Sequence, residues 1–171
     1  MSHHVVFLDN EGIAPSVKIP ELSFAHTWES YGYTANEDVV QRLQNATVAL
    51  TCSVPLRAEH LRQLPKLKMI SLALTGTDIV DMDYCQRHGS TVTNGPGYAS
   101  NTVAEHVVGA IYGLFRRTSG YSQLMQRVHR GEVAAKNIYF DYRVRDVAGK
   151  TLGIIGSGPI AQRLDQLATQ I

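Results

Sequence analysis

Thr151-Leu152-Gly153-Ile154-Ile155-Gly156-Ser157-Gly158-Pro159-Ile160-Ala161 decides how the rest of the chain is read. Five residues rich in aliphatic side chains run straight into a G-x-G-x-x-A turn. Ile160, Leu164, Leu167, Ala168 and Ile171 then recur at helical spacing. The pattern predicts a short buried strand over 151–155, a glycine turn, and a helix opening at the proline. The turn has a chemical rationale. Gly156 and Gly158 permit the tight bend and close backbone approach that a pyrophosphate needs, and the following helix N-terminus aims N–H groups at it. Ala161, small in the third position, allows close helix–strand packing. Pro159 keeps the helix start but removes one donor, leaving the Ile160 N–H. A strand, a turn and a helix make half of a nucleotide site.

Upstream, short β-rich runs alternate with helical stretches. Strands are predicted at 5–8, 47–51, 69–74 and 91–93, and helices at 38–43, 57–64 and 82–88. Asp81 or Asp78 would cap the last of these helices and Gly89 would end it. Strands separated by helices at this rhythm imply parallel pairing in a doubly wound α/β sheet. Residues 12–33 carry no clear pattern. Gly95-Pro96-Gly97 breaks helix and strand alike and marks the boundary. Beyond it, residues 102–117 form the longest helical run, with Asn101 or Thr102 as cap and Glu105 completing a capping box. Its apolar residues encircle the helix, which predicts burial on all sides, under a second subunit or a missing domain; a homodimer through this helix is the partner expected.

Composition bounds the function. The 171 residues are 44% hydrophobic and 18% charged, with net charge +1. That describes a globular protein and gives no electrostatic case for nucleic acid. No signal-like start or membrane-length apolar run is present, so a cytoplasmic setting away from membranes is the reading. Cys52 and Cys85 stand apart without ligand spacing, which predicts no metal site and two free buried thiols.

Three blocks resemble the D-isomer-specific 2-hydroxyacid dehydrogenases, the family of glycerate, glyoxylate/hydroxypyruvate and phosphoglycerate dehydrogenases. The first is Leu74-Thr75-Gly76-Thr77-Asp78-Ile79-Val80-Asp81, similar to the family's glycine loop. The second runs from Thr93-Asn94-Gly95-Pro96-Gly97-Tyr98 into Thr102-Val103-Ala104-Glu105-His106, like its hinge and long helix. The third is Gly149 to Gly158, like its nucleotide turn. One glycine turn is weak evidence; three ordered blocks are strong.

The resemblance implies a two-domain oxidoreductase with its active site in a cleft: a flavodoxin-like substrate domain over 1–99, then over 100–171 an incomplete dinucleotide-binding (Rossmann) domain, a long helix plus the first strand–turn–helix. It would transfer hydride between a 2-hydroxy acid and its 2-keto acid, using NAD or NADP. Thr75 and Gly76 would hold the substrate carboxylate through backbone N–H groups, glycine being suited to φ > 0 and close approach. Thr75 would also meet the nicotinamide end of the cofactor. Ser53, past another strand end, would reach a substrate oxygen with its hydroxyl. Gly156, Gly158, Pro159 and Ile160 would form the cofactor turn. The resemblance leans toward glycerate-type members.

The Arg, His and Glu that the family's chemistry needs match no residue here, so no catalytic residue is assigned and the chain reads as an N-terminal portion. His106 reads as structural, on a buried helix; His26, His60, His88 and His129 read as surface residues. The competing reading is a non-catalytic dimeric binding or scaffold protein derived from the same family, some of whose members act as corepressors.

Overall fold

The computed structural model describes residues 2–136 and 140–171. The chain forms two compact units, Met1–Pro96 and Gly97–Ile171.

The first unit is a five-stranded sheet of β1 (His3–Phe7), β2 (His26–Ser30), β3 (Val48–Thr51), β4 (Met69–Leu72) and β5 (Thr91–Thr93), in the order β2-β1-β3-β4-β5. Every pairing is parallel. Three short helices lie between strands: α1 (Val39–Leu43), α2 (Ala58–Leu61) and α3 (Met82–His88). The doubly wound, flavodoxin-like expectation holds. Parallel strands are buried on both faces and so read as unbroken apolar runs. Val5, Val6 and Leu8 are each 0% exposed, as are Ala49 and Ile70 on the neighbouring strands. Val39, Leu43 and Leu56 close the core over them. The strand order reverses between β1 and β3, which in an open α/β sheet opens a crevice at the carboxyl ends.

Details of this unit differ from the sequence reading. β2 falls inside the stretch left without a pattern. It is the edge strand, and His26-Thr27-Trp28-Glu29-Ser30 has no apolar run because the edge buries little. Trp28 contributes its ring edge against Phe7, with centroids 6.4 Å apart. His60 is buried, not on the surface. Its Nδ1 accepts the Arg57 N–H at 3.4 Å at the start of α2, so it serves the helix end. Asp81, not Asp78, caps α3 by accepting the Tyr84 N–H at 2.9 Å, and Gly89 at φ +70° ends it.

The second unit contains α4 (Ser100–Arg116), α5 (Thr118–His129) and α6 (Pro159–Ala168). α4 starts earlier than expected, from Ala99, with no side-chain cap. Asn101 and Thr102 already lie inside its first turn, where their side chains face outward. α4 is not buried all round either. Ala104 is fully buried, while Tyr112 and Leu114 are 39% and 69% exposed, because within the unit α6 packs along one side of α4. His106 is exposed, contrary to the buried position expected for it. Residues 151–155 form no strand, and Ile155 is fully exposed. A strand exists through its ladder partners, and the described residues of this unit offer none. No helix among the described residues is long and apolar enough to cross a membrane.

Candidate functional site

Four loops leave the carboxyl edge of the sheet side by side: Asp9–Asn10 after β1, Cys52–Pro55 after β3, residues 73–78 after β4, and Asn94–Gly95 after β5. Hydrogen bonds between loops fix this edge. Asp9, only 5% exposed, is its anchor. One carboxylate oxygen accepts the Cys52 N–H at 2.8 Å; the other accepts the Ser53 N–H at 2.6 Å and the Ser53 hydroxyl at 2.8 Å. Three donors converge on one acid, so it acts purely as an acceptor.

That polarity settles what Ser53 can do. Its hydroxyl proton is committed to Asp9, leaving only oxygen lone pairs to a ligand. In this arrangement the exposed Ser53 offers its lone pairs to an O–H or N–H of a ligand. The Cys52 thiol beside it is pushed up from its ordinary pKa, first by burial and then by the Asp9 charge. Gly12 packs so close that a Cβ there would lie 2.7 Å from Cys52 Cβ. Cys52 and Cys85 are both free thiols; Cys85 is buried and Cys52 half-buried.

The β4 loop is tied to the β5 loop. Gly95 N–H donates to Leu74 O at 3.0 Å, the Thr75 hydroxyl donates to Gly95 O at 3.1 Å, and Asn94 Nδ2 donates to Thr75 O at 2.6 Å. With carbonyl and hydroxyl engaged, the Thr75 and Gly76 N–H groups donate to no acceptor among the described residues. Gly76 is not at positive φ, contrary to the reason first given for it. A Cβ there would meet the tip of the exposed Asp78 side chain, Oδ1, at 2.6 Å, and that carboxylate would have to turn aside. Arg57, at the start of α2, reaches across to this loop, its Nη1 donating to the Asp78 backbone carbonyl at 2.7 Å. The loops after β3 and β4 are stitched together beyond this point by Leu56 N–H to Ile79 O at 2.8 Å and Asp81 N–H to Leu56 O at 3.0 Å.

In the second unit, Gly156 sits at φ +103°, a conformation that favours glycine. Gly158 is ordinary at φ −70°, and a Cβ there would meet nothing within 4 Å. Pro159 occupies the first helical position of α6, so Ile160 and Ala161 carry the leading free N–H groups. Gln162 Nε2 holds Ser157 O at 3.0 Å.

Asp9, Arg57 and Asn94 went unassigned from sequence. An acid closing β1 at the order reversal is the one signal that would have pointed to Asp9. No group of three His, Cys, Asp or Glu among the described residues is placed to hold a metal ion.

An all-parallel sheet with loops fixed at its carboxyl edge, and a glycine turn opening a helix, define an α/β protein built to hold ligands at strand ends and helix N-termini. The chain belongs to the D-isomer-specific 2-hydroxyacid dehydrogenase family: the model of that family's catalytic domain matches residues 7–163. It is 42% identical over 176 residues to a glycerate dehydrogenase of Methylorubrum extorquens, covering 100% of this chain and 55% of that protein. It is 38% identical to a putative 2-hydroxyacid dehydrogenase of Haemophilus influenzae, covering 98% and 53%. The chain thus spans about half the length of these curated relatives. In fold it is similar to D-lactate dehydrogenase from Aquifex aeolicus, solved with NAD and lactic acid, at TM-score 0.71 and 23% identity, covering 97% of this chain and 48% of that one.

Proposed function

We propose that this chain carries the substrate-holding edge and the opening of the dinucleotide site of an NAD(P)-dependent oxidoreductase. The reaction is hydride transfer between a small 2-hydroxy acid and its 2-keto acid. The observation that carries the reading is the β4 loop, whose Thr75 and Gly76 N–H groups are unengaged among the described residues while the rest of the loop is pinned. Backbone N–H groups fixed in this way suit a carboxylate, and the Arg57 guanidinium, held on the Asp78 backbone carbonyl, brings a positive charge to the same loop. Ser53, restricted to accepting, suits a substrate hydroxyl. Hydroxypyruvate, which has a hydroxyl on C3, therefore matches this edge better than glyoxylate, which has none.

The glycine turn fits a nicotinamide dinucleotide. No packing inside the chain demands glycine at 158, whereas a pyrophosphate passing over that position does. Gly156, Gly158 and Ile160 would hold it, with Pro159 shaping the helix start and donating nothing. When bound, the nicotinamide supplies or accepts the hydride. No residue of this chain is assigned as the acid/base, so the 171 residues alone are proposed to bind ligands without turning them over. The exposed side of α4 supports the homodimer reading through residues 102–117.

The test is titration of the 15N-labelled chain with NADH. The reading expects amide shifts centred on 156–161. Shifts scattered over the surface, or none at millimolar NADH, would refute it.

A further inference from the structure

A recess of about 230 Å³ in the second unit is lined by Leu114, Phe115, Arg117, Arg143 and Arg145. No carboxylate lines it. The chain has eleven arginines, and seven of them reach a hydrogen-bond or ion-pair partner through the guanidinium. Among the described residues the four that do not are Arg62, Arg117, Arg143 and Arg145. Three of these four meet at this one recess. Natural surfaces disperse or pair like charges, so three unpaired guanidiniums at one depression ask for an anion.

The recess is also built. The segment carrying Arg143 and Arg145 is fastened to the α4–α5 junction on both sides of those residues. The Tyr121 hydroxyl donates to Tyr142 O at 3.3 Å, and the two rings meet edge-on at 5.2 Å. Gly120 lies so close to the Tyr142 ring that a Cβ would fall 3.0 Å from Cζ. Arg145 N–H donates to Phe115 O at 3.0 Å, and Arg116 pairs with Asp146 at 2.7 Å. Arg116 takes Asp146, the acid next to Arg145, and Asp141, two residues before Arg143, forms no ion pair with a recess arginine. The surrounding unit is basic as well: residues 97–171 hold nine Lys and Arg against five Asp and Glu. The first turn of α5 contains no acid.

We propose that this recess is a binding site for a phosphate group, held by Arg143 and Arg145 with Arg117 completing the ring. Arginine forks match phosphate oxygens in pairs, and two negative charges balance more than one guanidinium. Leu114 and Phe115 give the wall an apolar part against which the carbon of a phosphate monoester can lie. The site stands apart from the glycine turn and does not depend on the proposed redox chemistry.

The experiment titrates the 15N-labelled chain with glycerol phosphate and, separately, with inorganic phosphate, at constant ionic strength in chloride. Shifts are expected at 114–118 and 143–146. R143Q/R145Q is expected to weaken binding at least tenfold, and R62Q, which removes the remaining unpaired arginine, to leave it unchanged. All three guanidiniums are solvent-exposed, so the melting temperature should hold; should the double variant unfold, the map on the unaltered chain decides. Tighter binding of the ester than of free phosphate assigns the ester as ligand, and equal binding assigns free phosphate. Shifts confined to 156–161, equal weakening by R62Q, or an unchanged double variant would mean an adventitious ion only and would overturn the site.

Discussion

Replacing Asp9 tests whether the carboxyl edge is held as described. The Asp9 carboxylate takes three hydrogen bonds from the loop after β3. Hydrogen bonds to a charged partner contribute about 1.5–3 kcal/mol each. Ser53 is exposed, so water replaces its hydroxyl bond in Asp9→Ala and the two backbone N–H groups set the loss. At the low end of the range this is about 3 kcal/mol. Asp9→Asn is the sharper variant. An amide has one acceptor oxygen, and in its best orientation that oxygen serves Ser53 while the NH2 group faces the Cys52 N–H. One bond is lost and two donors oppose each other, a cost of about 2 kcal/mol. Trp28, the only tryptophan, lies in β2 against Phe7, so its fluorescence reports the first unit. In urea at 25 °C the Asp9→Ala midpoint should fall by about 1.5–2 M, using an m-value of about 1.5–2 kcal/mol/M, and Asp9→Asn should recover less than half of that. A neutral Asp9→Asn would refute the acceptor-only role of Asp9 and with it the polarity assigned to Ser53.

Other outcomes follow from single contacts. Gly158→Ala should leave the melting temperature unchanged, since a Cβ there meets nothing, yet weaken NADH binding at least tenfold; unchanged binding would separate Gly158 from the dinucleotide. Gly12→Ala should destabilise the first unit by about 1–3 kcal/mol, because its Cβ would collide with Cys52, as urea unfolding would show. Burial and Asp9 both raise the Cys52 pKa, so its alkylation by iodoacetamide should begin at higher pH than for a free cysteine. Asp9→Asn should move that onset down for Cys52 and leave Cys85, held up by burial and Asp81, where it is; mass mapping of the labelled thiols decides. Light scattering should give a dimer that Tyr112→Glu, on the exposed side of α4 and outside the arginine recess, converts to monomer, and a monomeric unaltered chain would remove α4 as the interface.

The parallel sheet was legible because its strands are buried on both faces, so 5–8, 47–51 and 69–74 read as apolar runs. β2 was not, since an edge strand such as His26–Ser30 buries little and shows no such run. The cap of α3 was readable because Asp81 and Gly89 act through local geometry. The start of α4 was misread: Ala99 precedes it without a side-chain cap, and Thr102 and Glu105 mimic a capping box inside the helix. Residues 151–155 carry strand composition, yet a strand is a property of pairs. Thr75 and Gly76 were visible as a motif at a strand end. Asp9 and Arg57 were not, because their partners, Ser53 and Asp78, lie 44 and 21 residues away. The glycine at 76 was placed for the wrong reason, a positive φ; its φ is not positive, and a Cβ there would press only on the movable Asp78 carboxylate.

The most direct test of the central claim is titration of the labelled chain with hydroxypyruvate and, in parallel, glyoxylate. The account predicts amide shifts at Thr75, Gly76 and Thr77 with both acids, and at Ser53 with hydroxypyruvate alone. Saturable binding that leaves residues 75–77 unmoved, or no binding of either acid, would contradict it.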